Sequence, residues 1–164
     1  MDSIPVADAI TFCAWEGGWL PREAEWVKAA RGGCEVRGTQ ACLADEGDAA
    51  RYPWGDEPAD CERSNGGDRE TGEYCAGRPE KVGSFPAGAS PYGAEDMLGN
   101  VWETVNSPCH VDPNGGAPWC AKGLGWSDPF DRFHVWGGAG RTSESAGDGF
   151  RCADNSGGCP GGAC

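Results

Sequence analysis

Residues 96–103 read Asp-Met-Leu-Gly-Asn-Val-Trp-Glu, and this stretch places two carboxylates on either side of a glycine-containing turn. Calcium prefers six to eight hard oxygen ligands, and such a turn can supply backbone carbonyls while Asp96 and Glu103 supply charge. The same pattern also fits a turn that Asp96 caps, followed by a solvated Glu103. Both interpretations stay open from these residues alone.

Two helices are predicted upstream of this stretch. Apolar residues recur at helical spacing over Val6–Trp15, which predicts a short helix with one buried face. Pro21 suits the first position of a second helix, and Gly32-Gly33 can end it. Acidic residues follow Pro21 and basic residues precede the glycines, which matches the helix dipole. A second helix is therefore predicted over residues 21–31. Short strands are predicted over residues 81–85, 101–105, 133–136 and 149–153.

The composition indicates one folded, loop-rich domain. The chain has 164 residues, with 28 glycines and 12 prolines, and its eight Trp, three Tyr and five Phe can supply a buried core. The formal net charge of −13 would repel a phosphate backbone, so we expect no nucleic-acid partner. No long apolar run occurs, and the sequence from Met1 shows no export signal, so no membrane span is expected.

Ten cysteines suggest a disulfide framework formed in an oxidising compartment. We therefore expect an extracytoplasmic or secreted location, with a leader and an N-terminal segment missing from this chain. Zinc is the rival interpretation at Cys109-His110 and Cys120, but there is no CxxC pair. The number of cysteines does not fix which of them are bonded to each other. Disulfides that close short loops favour the pairs Cys34–Cys42, Cys61–Cys75, Cys109–Cys120 and Cys159–Cys164. Cys13 and Cys152 are then the two cysteines that remain.

Four segments in order, LPREAEW, YPWGDEP, DMLGNVWE and GFRCA, resemble the formylglycine-generating enzyme family, also called sulfatase-modifying factors. The resemblance extends from about Val6 to Ala153. It implies an irregular α+β fold of the C-type-lectin-like type, with two helices, short strands and many loops. We expect one domain over residues 1–154 that lacks its N-terminal section, followed by a flexible tail over residues 155–164.

The resemblance also implies particular site residues. It pairs Cys13 with Cys152, and it assigns a structural calcium ion to the side chains of Asp96 and Glu103. The main-chain oxygens at the positions of Gly99 and Val101 belong to the same ligand set. The family's other calcium site includes an asparagine at the position of Asn65 and a carbonyl at that of Gly66, with Asp68 as a further candidate.

The family's catalytic chemistry is missing from the matching segment. Oxidase members bind copper(I) through two cysteines that follow a Gly-Gly-Ser strand, because soft thiolates suit copper(I). The corresponding residues 134–153 read HVWGGAGRTSESAGDGFRCA, with Ala139 at the expected serine and no cysteine between Cys120 and Cys152. We therefore expect no catalytic residue and no bound copper.

Two other chemistries can be drawn from the same region. A serine nucleophile would need His134 as its base, and a solvated polar loop is the preferred interpretation of the surrounding Ser143, Glu144, Ser145 and Asp148. His110 and His134 with a carboxylate could bind iron, as in metal-dependent oxygenases of the superfamily. Two isolated histidines are more often ordinary structural residues.

Three functions follow as hypotheses. The preferred one is a calcium-stabilised domain of this family without copper-dependent oxidation of a cysteine. The alternatives are an active oxidoreductase or metal-dependent oxygenase, and a lectin-like module that binds a protein, peptide or glycan. The tripeptide 112–114, DPN, resembles a sugar-contacting motif and also fits an ordinary turn. We expect core positions for Trp15, Trp26, Trp54 and Trp102, and a candidate binding surface at Trp119, Trp126 and Trp136.

Overall fold

The computed structural model describes residues 4–33, 36, 50–108, 119–141, 145–147 and 149–154. In chain order these residues form β1 (Ile4–Pro5), α1 (Val6–Trp15), α2 (Glu23–Arg31), β2 (Glu103–Val105), β3 (Trp119–Lys122), β4 (Gly138–Arg141), β5 (Ser145–Gly147) and β6 (Gly149–Phe150). Two short 3-10 helices, Pro86–Gly88 and Phe130–Arg132, lie in the connections.

Helix α1 has the predicted bounds, whereas α2 begins two residues later in the chain than predicted. Arg22 has an extended backbone, and its N–H donates to the Glu25 carboxylate at 2.8 Å, which caps the start of α2 at Glu23. Gly32 follows the last turn with a positive φ of 82°. The acidic first turn and basic last turn of α2 match the helix dipole, as the sequence suggested.

A four-stranded mixed sheet in the order β4-β3-β2-β6 forms the centre of the fold. β3 pairs antiparallel with both β2 and β4, whereas β6 runs parallel to β2. This register places Glu103 opposite both Lys122 and Gly149. β1 and β5 form a separate antiparallel pair.

The strand predictions were only partly right. A strand exists within residues 101–105, but it is confined to Glu103–Val105, and only Gly149–Phe150 of residues 149–153 pairs as a strand. Residues 81–85 form turns, and 133–136 precede β4 instead of forming a strand, so both of those predictions were wrong. Turns and irregular backbone occupy these segments, and the strand propensity of their residues does not reveal this.

The buried core has two parts. The larger part joins α2 to β2 and β3 around Trp26, Met97 and Phe133, and the smaller part lies between α1 and Leu20. Full burial of one such large side chain contributes about 2–3 kcal/mol to folding. Trp26 is buried as predicted, whereas the ring expected in the core at Trp15 is 77% exposed. Trp15 follows the buried α1 positions by a spacing that turns it to the solvent face of the helix.

The disulfides join distant parts of this fold. Cys13 is bonded to Cys152 and Cys61 to Cys75, as predicted. Cys120 is also disulfide-bonded. The predicted partner of Cys120 and both members of the other two predicted pairs lie outside the described residues, and so does the predicted tail at 155–164.

Candidate functional site

The Glu103 carboxylate is the most heavily contacted acidic group of the predicted calcium site. It lies buried at the start of β2. Arg151 donates to it through two nitrogens, Nε to Oε2 at 2.6 Å and Nη2 to Oε1 at 2.5 Å. The indole nitrogen of Trp26 donates to Oε2 at 2.7 Å. Both carboxylate oxygens therefore have charge-assisted hydrogen bonds within the protein.

The Arg151 guanidinium supplies the positive charge next to this carboxylate. Its Nη2 also donates to the carbonyl oxygens of Glu95 at 3.2 Å and Asp96 at 3.3 Å. Burial alone would lower the pKa of Arg151, but the charge and hydrogen bonds of Glu103, with the charge of Asp96, raise that pKa above its ordinary value. Arg151 therefore stays protonated and ties the segment after β6 to the loop before β2.

Asp96, the other predicted carboxylate, lies at the same cavity. A cavity of about 420 Å³ is lined by both carboxylates together with Val101 and Arg151. Asp96 has a positive φ of 55°, and its Oδ2 accepts a hydrogen bond from the Gly83 N–H at 2.6 Å. Three of the four residues predicted to hold calcium thus share one cavity, which makes hard oxygen ligands available there.

The carbonyl donors at Gly99 and Val101 are compatible with the same set. Among the described residues, no hydrogen bond ends on either carbonyl oxygen. Gly99 does not line the cavity itself, because its peptide packs against Ser64 and Asn65, and its N–H donates to the Gly123 carbonyl at 2.7 Å. The oxygen donors fit a calcium ion in chemical type, although Arg151 already neutralises the charge of Glu103.

The predicted donors of the second calcium site make hydrogen bonds within the protein. The fully buried Asn65 donates through Nδ2 to the Arg78 carbonyl at 2.9 Å and to Asn100 Oδ1 at 3.2 Å, and its Oδ1 accepts from the Ala76 N–H. The Gly66 carbonyl accepts from the Cys75 N–H at 2.9 Å. The Asp68 carboxylate accepts from two N–H groups of its own turn. The side chains of Asn65 and Asp68 and the carbonyl of Gly66 therefore all take part in hydrogen bonds within the protein.

Lys122 is a buried charge that the sequence reasoning missed. The side chain is fully buried, and its Nζ donates to Glu23 Oε1 at 3.0 Å and to the Trp136 carbonyl at 3.1 Å. It also lies 5.7 Å from the centre of the Trp26 ring. Burial lowers the pKa of Lys122, although the hydrogen bond and charge of Glu23 act in the opposite direction. A lysine in a short strand gives no sequence signal for this environment.

His134, the histidine that the structure describes, lies near two cations. Burial, with the charges of Arg51 and Lys122, lowers the pKa of His134. No group of three His, Cys, Asp or Glu side chains among the described residues could hold a metal ion by such side chains alone. His110 and the candidate residues Ser143, Glu144 and Asp148 lie outside the described part of the chain.

The predicted tryptophan surface has a mixed outcome. Trp136 is 43% exposed, and the guanidinium of Arg31 lies 5.0 Å from its ring centre. Trp119 is partly buried and packs against the smaller core, while Trp126 contacts Tyr74 edge to face at 5.9 Å. Trp136 is therefore the most exposed member of this set.

Every described cysteine is disulfide-bonded. The five positions are Cys13, Cys61, Cys75, Cys120 and Cys152. A disulfide sulfur is not the soft thiolate that copper(I) requires. This part of the chain therefore presents no thiolate pair of the type that the resemblance implies for oxidase members.

The fold and the motifs define a domain of the formylglycine-generating type. The chain matches over residues 1–156 the family described as the sulfatase-modifying factor enzyme 1-like domain. It belongs to this family, as the four sequence segments predicted. The α+β class with two helices, short strands and many loops is likewise confirmed. The structure resembles PvdO from Pseudomonas aeruginosa with a TM-score of 0.56 and 23% identity, over 88% of this chain and 58% of PvdO. It resembles CarF with a TM-score of 0.52 and 25% identity, over 81% of this chain and 46% of CarF.

Curated relatives carry several different names. The chain is 42% identical over 109 residues to hercynine oxygenase of Mycolicibacterium smegmatis, covering 65% of this chain and 21% of that protein. It is 34% identical over 163 residues to inactive C-alpha-formylglycine-generating enzyme 2 of Mus musculus, covering 92% and 47%. It is 33% identical over 174 residues to formylglycine-generating enzyme of Thermomonospora curvata, covering 89% and 52%. The chain thus spans from about a fifth to about half of these relatives.

Within the described residues, neither α-helix is long and apolar enough to cross a membrane. The observed disulfides are compatible with an extracytoplasmic location.

Proposed function

We propose that this chain is a calcium-stabilised member of the family that does not carry out copper-dependent oxidation of a cysteine. The observation that supports the proposal most is the state of the cysteines. All those described are disulfide-bonded, and the sequence contains none between Cys120 and Cys152. A mouse relative with 34% identity over 92% of this chain bears the name of an inactive enzyme.

A direct assay tests the missing oxidation. The full chain is loaded with copper(I), supplied with oxygen and incubated with a cysteine-containing sulfatase-type peptide, and the peptide is followed by mass spectrometry. We expect no aldehyde product above a copper-only control, because no thiolate pair is available to hold the metal. Repeated turnover that needs both the chain and copper would reject the proposal in favour of an active oxidoreductase.

The calcium part of the proposal rests on the oxygen donors around one cavity. The Asp96 carboxylate and the carbonyls of Gly99 and Val101 would hold the ion, with Glu103 as the buried carboxylate behind them. Arg151 neutralises one of the two acidic charges, so the affinity should be modest compared with sites that have more free carboxylates. The ion would supply structural cross-linking of the loop before β2.

Thermal unfolding of the full chain with calcium and with a chelator tests this site. At a calcium concentration about 100 times the dissociation constant, binding adds about 2.7 kcal/mol, which corresponds to a midpoint increase of roughly 5–10 °C. Asp96→Asn should remove most of this increase, whereas Glu62→Gln, at an exposed acidic position, should keep it. Equal midpoints for the unaltered chain in calcium and chelator would show that no stabilising calcium binds.

The main catalytic alternative is a metal-dependent oxygenase. The observation in its favour is the 42% identity to hercynine oxygenase over 109 residues. Oxygen uptake that depends on iron(II) and hercynine would support it, and His134→Ala should then abolish the uptake. We expect no such uptake, because His134 has no group of metal-ligating side chains around it among the described residues.

A lectin-like binding module is the remaining alternative. Partly exposed Trp136 offers a ring face that could stack on a sugar or a peptide side chain. Calcium-dependent retention on a glycan array, lost in Trp136→Ala, would favour a glycan ligand. An extracytoplasmic location, which the disulfides allow, would expose the domain to such ligands.

A further inference from the structure

We propose that a cleft beside the first helix binds an exposed arginine side chain of a partner protein. The cleft has a volume of about 460 Å³ and is lined by Phe12, Glu16, Gly18, Phe150, Cys152, Ala153 and Asp154. Trp15 stands next to it, with its ring centre 5.9 Å from that of Phe12. We call these residues together the α1 cleft. It shares Phe150 with the lining of the Asp96–Glu103 cavity and does not include Trp136.

The aromatic side of the α1 cleft is unusually exposed. Trp15 is 77% and Phe12 47% exposed, although both lie on a helix whose opposite face is buried through Val6, Ala9 and Cys13. Phe12 also contacts Phe150 edge to face at 5.6 Å. Contiguous exposed aromatic side chains of this kind are typical of interaction surfaces.

The floor of the α1 cleft is held rigidly. Trp19 and Ala153 exchange two backbone hydrogen bonds of 2.8 Å each, and the Cys13–Cys152 disulfide lies beside them. A side chain at Gly18 would bring its Cβ within 2.2 Å of the Ala153 carbonyl oxygen, so only glycine allows this close approach. A ligand would therefore enter a cleft that keeps its shape, which lowers the entropic cost of binding.

The charge around the α1 cleft selects the kind of ligand. Glu16 and Asp154 line it. Within residues 4–20 and 149–154 the single basic residue is Arg151, whose guanidinium is bound to Glu103. The charged side chains that line the cleft are thus both acidic.

An arginine side chain matches both properties. Its planar guanidinium can stack on the face of an exposed tryptophan and donate at the same time to a neighbouring carboxylate. Glu16 lines the cleft, Trp15 lies beside Phe12 at its edge, and Phe12 offers apolar surface for the methylene groups of the ligand. The net charge of −13 attracts a basic segment from a distance as well.

Titration of the full chain with acetyl-Gly-Arg-Gly-amide tests this proposal. The indole N–H resonance of Trp15, assigned with Trp15→Phe, is followed by NMR. We expect a saturable shift with a dissociation constant on the order of millimolar, weakened by added salt. The same peptide with citrulline, which has the shape of arginine without its charge, should bind at least about fivefold more weakly.

Matched variants decide between this site and general attraction to an acidic protein, with chemical-shift mapping over the whole chain as the readout. Trp15→Ala and Glu16→Gln should each weaken binding by about three- to fivefold, and the exposed controls Tyr74→Ala and Glu62→Gln should leave it unchanged. Equal binding of the citrulline peptide, or equal loss in all four variants, would overturn the proposal. A Trp15 shift that depends on protein concentration without peptide would identify a second copy as the occupant and would also overturn it.

Discussion

At the residue scale, Trp26 lies between two ion pairs, each of which has one buried member. Its indole nitrogen donates to Glu103, the partner of Arg151, and its ring lies beside Lys122, the partner of Glu23. The two acidic and two basic side chains balance in charge around one aromatic ring. Burial of Glu103 and Lys122 is tolerated here because each has a hydrogen-bonded partner of opposite charge.

Removal of the buried lysine should therefore be costly. Lys122→Met leaves Glu23 without the hydrogen bond from Nζ and should lower the free energy of unfolding by about 3 kcal/mol. The double variant Lys122→Met with Glu23→Gln should recover part of this loss, because it leaves no unpaired charge. Urea unfolding at pH 7 measures both variants; equal losses in the single and the double variant would show that packing, and not the charge, is responsible.

The same variant has a defined pH dependence. Because the pKa of Lys122 is lowered in the folded state, the unfolded chain binds more protons than the folded chain between that pKa and the ordinary value of 10.5. Stability from this group therefore rises with pH through that window and is smallest below it. The difference in unfolding free energy between the unaltered chain and Lys122→Met should grow as the pH is raised to 10.5, and a difference that stays constant up to that pH would contradict the lowered pKa.

At the scale of elements, the loop from Asp96 to β2 depends on a glycine that cannot be replaced. Gly99 has a positive φ of 83°, and a Cβ there would lie 2.5 Å from the Asn65 carbonyl oxygen. The Asn100 N–H donates to that same oxygen at 2.9 Å, so the two loops are fixed against each other. The turn between the two carboxylates of the candidate calcium site is therefore shaped by backbone contacts.

A pair of glycine variants separates the conformational cost from the steric cost. Gly93 has a similar φ of 81°, but a Cβ added there would meet no neighbouring atom within 4 Å, so Gly93→Ala should cost about 1 kcal/mol from the positive φ alone. Gly99→Ala meets the same cost and also displaces the Asn65 backbone, which should add roughly 2 kcal/mol. Chemical unfolding measures both, and equal losses would show that the Asn65 contact moves away without cost.

The elements differ in how far the sequence could predict them. The helices were predictable because α1 and α2 follow a period of 3.6 residues and α2 has acidic and basic ends. β3 was missed because its four residues carry no alternation and depend on pairing with two other strands. At the site, Asp96 and Glu103 were found from a motif, whereas Arg151 was missed as a partner because 48 residues separate it from Glu103.

At the scale of the whole molecule, the two ends of the described chain are joined to each other. The Cys13–Cys152 disulfide links residues 139 positions apart, and the Trp19–Ala153 bridge lies beside it. β6, the last strand of the central sheet in chain order, pairs with β2 in parallel. These contacts hold α1 and the segment carrying Arg151 against the rest of the fold.

The two described disulfides should differ in their contribution to stability for this reason. In the chain-entropy account, a link across 139 positions stabilises the fold by about 5 kcal/mol and one across 14 positions by about 3 kcal/mol. The double variant Cys13→Ala with Cys152→Ala should therefore lose about 2 kcal/mol more than Cys61→Ala with Cys75→Ala. Urea unfolding without reductant measures both, since the remaining bridges then stay intact. An equal loss, or a larger loss from the short link, would mean that local packing around Cys61 and Cys75 outweighs the entropy of the long loop.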